Sequence, residues 1–131
     1  ADVPYDDVVD DVIEELTERV LLAEKAGLDR SQIIVDPGLG FGKTAAENFD
    51  LLGRLEEFAG LGCPVLVGHS HKSMFGAIGR DPDARLEPTI AGTAVAVEHG
   101  ADIVRVHDVA ANAAAVDVVE AATDPDSVDS E

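Results

Sequence analysis

The sequence lacks the residues that cross-link or anchor many small proteins. Its one cysteine, Cys63, cannot form a disulfide within the chain and does not suggest a zinc cluster. No apolar run approaches the roughly 20 residues that a membrane-spanning helix needs. The first residues do not read as a charged-then-apolar leader, so the sequence gives no support for secretion by a signal peptide.

Positive charge and aromatic side chains are also scarce. Nine Lys and Arg residues stand against 27 Asp and Glu residues, a net charge of -18, and only three residues are lysine. So acidic a surface repels DNA, RNA and anionic membranes, which argues against nucleic acid or a membrane as partner. Aromatic residues make up 4% of the chain, yet the hydrophobic fraction of 46% is too high and too well patterned for disorder.

The apolar residues predict alternating helices and strands. Runs at residues 33–35, 65–67 and 103–106 are rich in β-branched residues, as buried parallel strands are. Apolar residues at steps of three and four predict four helices, over residues 9–20, 51–59 and 86–97 and around 116–119. Such alternation with short connections predicts a parallel sheet. Three strands are few, so the fold is either a minimal α/β sandwich or part of a larger barrel.

Local signals predict where several helices begin and end. Gly27 and Gly100 lie where C-terminal caps are expected. Asp6 and Asn112 are candidate N-terminal caps.

Each predicted strand is followed by a polar or glycine-rich cluster. These clusters are residues 36–44, 68–73 and 105–108. In parallel α/β folds, ligands bind at the carboxyl ends of the strands, which meet at one edge of the sheet. Three clusters at that edge therefore predict a binding site there.

Three cationic groups are expected to face this site. In extended chain, residues two apart share a face, so Arg105 and His107 point together, as do Ser70 and Lys72. Convergence of Lys72, Arg105 and His107 in a strongly negative chain favours a phosphate-bearing substrate. The alternative is that Arg105 and His107 pair with surface carboxylates such as Asp108.

Other chemistry fits these clusters less well. Residues 42–44 read Gly-Lys-Thr, like the end of a P-loop, but that motif needs glycine at position 37, where this chain has Pro37. His69 and His71 have the spacing of two zinc ligands on one strand face, but no third ligand is evident nearby.

Asp36 and Cys63 each allow two interpretations. Asp36, at a strand end, can accept paired N–H bonds from a heterocyclic ligand or cap the backbone amides of its own loop. Cys63 is expected to be a small buried apolar residue rather than a nucleophile, because it precedes its strand and so lies at the opposite end of the sheet from the histidines.

Taken together, the three clusters resemble the later motifs of the dihydropteroate synthase family. The sequences DPGLGFGK at 36–43, GHSHKS at 68–73 and RVHDV at 105–109 follow the family's order and spacing, and the resemblance extends to about residue 122. With its acidic surface, the chain resembles a haloarchaeal member. The resemblance implies an α/β fold, the C-terminal half of a TIM (β/α)8 barrel with three parallel strands and about four helices at residues 1–122. An acidic flexible tail is expected at 123–131.

The resemblance also implies a transferase of folate biosynthesis. Members of the family condense 6-hydroxymethyl-7,8-dihydropterin pyrophosphate with p-aminobenzoate, which gives 7,8-dihydropteroate and pyrophosphate. The family uses Mg²⁺, and sulfonamides compete for the p-aminobenzoate position. Because the sequence shows no targeting signal, the folate role implies a cytoplasmic enzyme.

By motif position, the resemblance assigns roles to individual residues. Lys72, Arg105 and His107 would be the catalytic residues. Lys72 would contact the pterin and orient the second substrate, while Arg105 and His107 would hold the pyrophosphate. Fixed cations near the leaving oxygens stabilise charge as it develops there.

Four further residues would complete the substrate-binding set, which also includes the three catalytic residues. Asp36 would bind the pterin ring, and Gly68 would line the pterin pocket. Phe41 and Ser70 would border the p-aminobenzoate site.

The chain departs from the family pattern in two ways. The family usually has arginine before the lysine of the second motif, where this chain has His71, and a neutral histidine would weaken the local positive field. A complete barrel needs about 250 residues, and this chain has 131. We therefore expect the first five strands, with the asparagine that binds magnesium, to be missing. No metal ligand is expected in this chain, and the chain alone is expected to have little or no activity.

Two other functions stay open at this point. The chain could be a non-catalytic halophilic folding module that self-associates through exposed strand edges. It could also come from another pterin-binding barrel, such as a methyltetrahydrofolate-dependent methyltransferase. Arg105 and His107 argue against the methyltransferase, because a methyl donor carries no pyrophosphate.

The charge of -18 predicts that folding depends on salt. At about 1 M salt the Debye length is about 3 Å, so repulsion among the carboxylates is screened, whereas at low salt it opposes the compact state. We expect thermal melting, followed by circular dichroism, to be cooperative in molar KCl and weakened or lost in low salt. Equal, cooperative melting in both would contradict this.

Overall fold

The structure, a computed structural model, describes residues 5–128. Within that range, four α-helices alternate with short strands. The helices are α1 (Val8–Lys25), α2 (Ala45–Gly53), α3 (Leu86–Glu98) and α4 (Val109–Thr123), and the strands are β1 (Leu66–Val67) and β2 (Ile103–Val104). Turns of 3-10 helix lie at Arg30–Gln32, Leu55–Leu61, Ser73–Ile78 and Pro125–Ser127.

The strands β1 and β2 pair in parallel. Leu66 lies opposite Ile103, and Val67 lies opposite Val104. The amide of Arg105 then donates to the carbonyl of Val67 over 2.9 Å, just beyond the paired residues. Both strands therefore point their carboxyl ends at the same edge of the sheet, as the sequence predicts.

The first apolar run, residues 33–35, joins the sheet through one residue. Val35 forms a parallel bridge with Val65: its amide donates to the carbonyl of Pro64 over 2.9 Å, and its carbonyl accepts from Leu66 over 2.8 Å. The ladder cannot continue, because the next donor on this side would be Pro37, which has no N–H. The three predicted strands thus lie side by side in chain order, the first shortened to a bridge.

The two predicted glycine caps are confirmed. Gly27 follows α1 with φ of 104°, and Gly100 follows α3 with φ of 102°. After α1, the amide of Gly27 donates to Glu24 and the amide of Leu28 to Ala23, the bonding pattern of a Schellman motif. Glycine suits both positions, because a side chain is strained in the left-handed region.

The two predicted N-terminal caps are wrong. Helix α1 is capped by Asp7, not Asp6: its carboxylate accepts from the amides of Val9 over 3.0 Å and Asp10 over 3.1 Å. Asn112 lies inside α4, one turn after the cap residue Asp108, and is fully buried. A polar residue suited to capping can also be an interior hydrogen-bonding group, and the sequence alone does not separate the two uses.

The second predicted helix is divided. Helix α2 ends at Gly53, and the 3-10 turn Leu55–Leu61 follows. Arg54 between them leaves the helical region, with φ of -120° and ψ of 24°, and its guanidinium donates to Glu57 over 2.6 Å. Gly53 is a poor helix former, which favours the break at this point.

Apolar side chains from all of these elements form one core. Phe58, Leu51 and Val9 are fully buried, and Phe49 packs edge-to-face on Phe75 with ring centroids 6.1 Å apart. Cys63 is buried at 7% exposure, as the sequence predicts. Within residues 5–128, no helix is both long and apolar enough to cross a membrane.

The predicted flexibility of the acidic tail stays a prediction. Helix α4 runs to Thr123, and the short turn Pro125–Ser127 follows it. Residues 129–131, which belong to the predicted tail, lie outside the described residues, as do residues 1–4.

We expect Asp7→Ala to lower the melting temperature by several degrees, because it removes the cap of α1 and a partner of Arg54. Asp6→Ala is the matched control, since it removes the same charge from the exposed neighbouring residue. Both variants are melted in molar KCl beside the unsubstituted chain. Equal losses from the two substitutions would contradict the assignment of Asp7 as the cap.

Candidate functional site

The parallel register of β1 and β2 continues beyond the strands into the two polar loops that follow them. Paired residues in the strands, such as Leu66 and Ile103, differ by 37 positions. Side-chain contacts keep this separation in the loops: Gly68 meets Arg105, Ser70 meets His107, and His71 meets Asp108. The sheet therefore fixes which residues of the second and third clusters face each other.

Ser70 holds His107 by two bonds. The Ser70 hydroxyl lies 2.7 Å from Nδ1 of His107 and also accepts the backbone amide of His107 over 3.2 Å. Ser70 is buried, whereas His107 is exposed. The ring is thus fixed from its Nδ1 side, which leaves Nε2 as the nitrogen for a ligand.

The guanidinium of Arg105 lies against Gly68. A Cβ atom on Gly68 would be 2.9 Å from Cζ of Arg105, closer than real Cβ contacts come, and 3.2 Å from Nε, a tight contact. The absence of a side chain at residue 68 therefore creates the space in which the guanidinium lies. On its far side, Nη1 of Arg105 is 3.9 Å from Oδ2 of Asp36, while the side chain as a whole remains 60% exposed.

Lys72 links the second cluster to the glycine-rich first cluster. Its ammonium donates to the carbonyl of Leu39 and lies 4.6 Å from the centre of the Phe41 ring, in a cation–π contact. Burial lowers the pKa of Lys72, and the nearby charge of Arg105 lowers it further, while Asp36 opposes both. The two cations therefore face a common space rather than separate ones.

Side chains hold the backbone of the glycine-rich loop at several points. Asp36 Oδ1 accepts the amide of Gly38 over 2.8 Å, and Asn48 Oδ1 accepts the amide of Gly40 over 2.8 Å. Lys43 donates to the carbonyls of Gly38 over 2.9 Å and Phe41 over 3.0 Å. The loop is therefore well defined, although Phe41 at its tip is 68% exposed.

Five of the seven predicted site residues line one cavity of about 310 Å³. They are Gly68, Ser70, Lys72, Arg105 and His107. The other two, Asp36 and Phe41, line a neighbouring cavity of about 290 Å³ between the first loop and α1. We call the first space the cation cavity, because the cations Lys72 and Arg105 line it together with His107.

The alternatives left open by the sequence are now answered in part. Asp108 pairs with neither Arg105 nor His107, since its carboxylate lies 2.7 Å from Nε2 of His71. Asp36 serves one of its two suggested uses, because Oδ1 caps the loop amide of Gly38. Its other oxygen lies 3.9 Å from Nη1 of Arg105, and its use toward a heterocyclic ligand stays a prediction.

The two histidines that suggested a zinc pair have separate surroundings. His69 is fully buried, and its Nε2 lies 3.0 Å from the carbonyl of Thr89 and 2.9 Å from the hydroxyl of Thr93. A carbonyl only accepts, so Nε2 carries the hydrogen. Burial lowers the pKa of His69, which favours the neutral ring. His71 instead faces the surface and Asp108.

A series of buried hydrogen bonds between α3 and α4 supports the loops, and the sequence analysis did not predict it. Thr93 donates to Oδ1 of Asn112 over 2.6 Å, and Asn112 donates to the carbonyl of Asp108 over 2.8 Å. These bonds connect His69 to the first turn of α4. The available signal was a polar residue on the apolar face of each helix, at Thr89, Thr93 and Asn112.

The described residues do not gather a metal site. Within residues 5–128, no three side chains of His, Cys, Asp or Glu lie close enough together to hold an ion. This part of the chain therefore offers no cluster of three such side chains to a magnesium ion.

Comparisons with known proteins agree on one family. Residues 1–107 match the pterin binding enzyme family. The chain is 68% identical over 124 residues to the Haloferax volcanii protein named "Probable bifunctional folylpolyglutamate synthase/dihydropteroate synthase", covering 95% of this chain and 15% of that one. It is 42% identical over 118 residues to the Escherichia coli dihydropteroate synthase, covering 89% of this chain and 42% of that one.

Solved structures show the same likeness in three dimensions. Dihydropteroate synthase from Xanthomonas albilineans, in complex with 7,8-dihydropteroate, matches with a TM-score of 0.88 at 41% identity. The match covers 92% of this chain and 47% of that one. The expected fold class, part of a TIM barrel, is therefore confirmed. The chain spans less than half the length of each of these three relatives.

We expect Gly68→Ala to weaken binding of inorganic pyrophosphate by roughly tenfold, because the new methyl group displaces the Arg105 guanidinium. Gly60→Ala is the matched control, since a Cβ there meets nothing within 4 Å. Binding is followed by isothermal titration calorimetry, with circular dichroism to check folding. Unchanged affinity in a folded Gly68→Ala chain would show that Arg105 does not contact the anion.

Proposed function

Since the chain belongs to the pterin binding enzyme family, we propose that the whole protein is a dihydropteroate synthase. It would join p-aminobenzoate to 6-hydroxymethyl-7,8-dihydropterin pyrophosphate, giving 7,8-dihydropteroate and pyrophosphate. The single observation that carries this proposal is the cation cavity, where Lys72, Arg105 and His107 meet beside a pre-shaped glycine-rich loop.

In the proposed reaction, the amine nitrogen of p-aminobenzoate forms a C–N bond with the methylene carbon of the pterin. The C–O bond from that carbon to pyrophosphate breaks, its electron pair leaves with the pyrophosphate, and the amine nitrogen loses a proton. Negative charge thus grows on the leaving oxygens. Fixed donors placed there lower the barrier, because they favour the transition state over the ground state.

Arg105 and His107 are the proposed holders of the pyrophosphate. Arg105 offers a planar fork of donors that suits phosphate oxygens. The contact of Arg105 with Gly68 and the hydrogen bond between Ser70 and His107 fix the guanidinium and the imidazole ring before a ligand binds. Such preorganisation means that little reorientation is needed during the reaction.

Lys72 is proposed to lie between the two substrates. Its ammonium is close to both the first loop and Arg105, so it can reach the pterin and the bridging oxygen. Asp36 would accept N–H groups of the pterin ring through the oxygen that faces Arg105, with Gly68 leaving room for the flat ring. Phe41 and Ser70 would border the p-aminobenzoate.

Several finer properties belong to the same proposal. We propose that the whole enzyme uses Mg²⁺ held by residues outside this chain, that sulfonamides compete with p-aminobenzoate, and that the enzyme is halophilic and cytoplasmic. The similarity to a Haloferax protein supports the halophilic character. The chain alone would be inactive or nearly so, because it offers only part of the surroundings that would orient two substrates.

Self-association through strand edges is also proposed for the chain in isolation. Among the described residues, β2 pairs only with β1, so its outer edge is open. Ile103 on that edge is 38% exposed, and Val109 at the start of α4 is 68% exposed. Apolar residues beside an unpaired strand favour pairing with another copy.

The test is a chimera in which this chain replaces the matched segment of the Haloferax volcanii relative. We expect it to form 7,8-dihydropteroate in molar KCl, whereas the chain alone forms little or none. Arg105→Ala in the chimera should lower kcat/KM about 10²- to 10³-fold, because it removes a donor to the leaving group. Product is measured with radiolabelled p-aminobenzoate.

Arg80→Ala is the matched control, since Arg80 is an exposed arginine that lines neither cavity. It should leave kcat/KM unchanged. A chimera that is folded by circular dichroism yet inactive, beside an active unsubstituted relative, would contradict the proposed function.

A further inference from the structure

His71 is held in an unusual backbone conformation. Its φ is 55°, and it is the one residue other than glycine with positive φ among residues 5–128. Its amide donates to the hydroxyl of Thr89 over 3.0 Å, and its carbonyl accepts from Arg85 over 3.2 Å. Conformations of this kind cost free energy and persist only where surrounding contacts impose them. The fold therefore directs the His71 ring to a particular place.

That place is beside Asp108 and His107. Nε2 of His71 lies 2.7 Å from Oδ2 of Asp108, and its ring meets the His107 ring edge-on, with centroids 5.3 Å apart. An ionised carboxylate only accepts hydrogen bonds, so Nε2 of His71 carries the hydrogen and donates it. His71 thus lies between the carboxylate and the ring that lines the cation cavity.

The side chain of Asp108 does not cap helix α4, although Asp108 is at the cap position. It is the cap residue of α4, yet its carboxylate makes no capping bond with the amides of that helix. The carboxylate turns to His71 instead. A negative charge near the start of a helix remains favourable through the helix dipole, even without a capping bond.

The same negative charge is unfavourable for an anion in the cation cavity. Asp108 directly follows His107, one of the residues that line this cavity. Two like charges a few ångströms apart near a protein surface repel each other, and the repulsion grows as the local dielectric falls. A negative charge at residue 108 therefore stabilises the first turn of α4 but opposes anion binding in the cation cavity.

We propose that His71 masks the charge of Asp108 and thereby sustains anion binding in the cation cavity. His71 is a positioning residue in this account: it touches Asp108 and His107 and need not touch the anion. The identification of that anion as the pyrophosphate of a pterin substrate rests on the proposed function. The masking itself concerns any pyrophosphate-like ligand.

The test measures binding of inorganic pyrophosphate by the chain, using calorimetry at the lowest KCl concentration at which all variants keep native circular dichroism. His71→Asn is chosen because asparagine tolerates positive φ, while its shorter side chain withdraws from Asp108. We expect affinity about tenfold lower for this variant, because Asp108 becomes unmasked.

A second substitution separates masking from a merely structural role. Asp108→Asn alone should bind pyrophosphate no more weakly than the unsubstituted chain, since it removes the negative charge. Asp108→Asn combined with His71→Asn should restore most of the affinity that His71→Asn loses. Failure of the double variant to recover, while folded, would overturn the masking proposal.

The chain offers a matched control in a second histidine–carboxylate pair. Nδ1 of His99 lies 2.7 Å from Oε2 of Glu56, at the other end of the sheet from the cation cavity. His99→Asn should leave pyrophosphate affinity unchanged. An equal loss from His99→Asn and His71→Asn would overturn the proposal in favour of a general charge effect.

The outcomes separate the two proposals. If the unsubstituted chain binds pyrophosphate and His71→Asn binds it equally well, the masking proposal fails and the proposed function stands. If the folded, unsubstituted chain does not bind pyrophosphate at all, both the masking proposal and the anion site assumed by the proposed function fail.

Discussion

The parallel register between β1 and β2 is the constraint on which the candidate site depends. Its separation of 37 positions holds for the backbone pair Leu66–Ile103 and for the side-chain contact between Ser70 and His107. The two paired residues of each strand thus align loops that extend well beyond the strands. A slip of one residue would move every partner to the opposite face, so the site cannot form unless the sheet is in register.

The site also solves an electrostatic problem particular to this chain. A protein of net charge -18 repels anions in general, yet cations of the second and third clusters line one cavity at the strand ends. Nearby carboxylates are engaged: Asp36 faces a loop amide and Arg105, and Asp108 faces His71. Local arrangement, rather than net charge, therefore determines what this edge of the sheet can bind.

The sequence predicted the α/β order, the helix count and the convergence of the strand-end clusters, because each follows from periodicity and from the geometry of parallel sheets. It did not predict that Pro37 shortens the first strand to a bridge, or that Asp7 rather than Asp6 caps α1. Those outcomes depend on single hydrogen bonds. The buried path through Thr93 and Asn112 depends on contacts between helices, which periodicity does not encode.

The two cavities differ in how completely this chain forms them. Three side chains that line the cation cavity are each placed by a nearby partner within the described residues: Arg105 by Gly68, His107 by Ser70, and Lys72 by the Leu39 carbonyl. Phe41, by contrast, is 68% exposed and lines the neighbouring cavity with Asp36. Anion recognition therefore depends on contacts local to this segment of the barrel. Recognition of a flat heterocycle needs more protein surface than these residues provide, because stacking and exclusion of water require contacts on both faces of the ring.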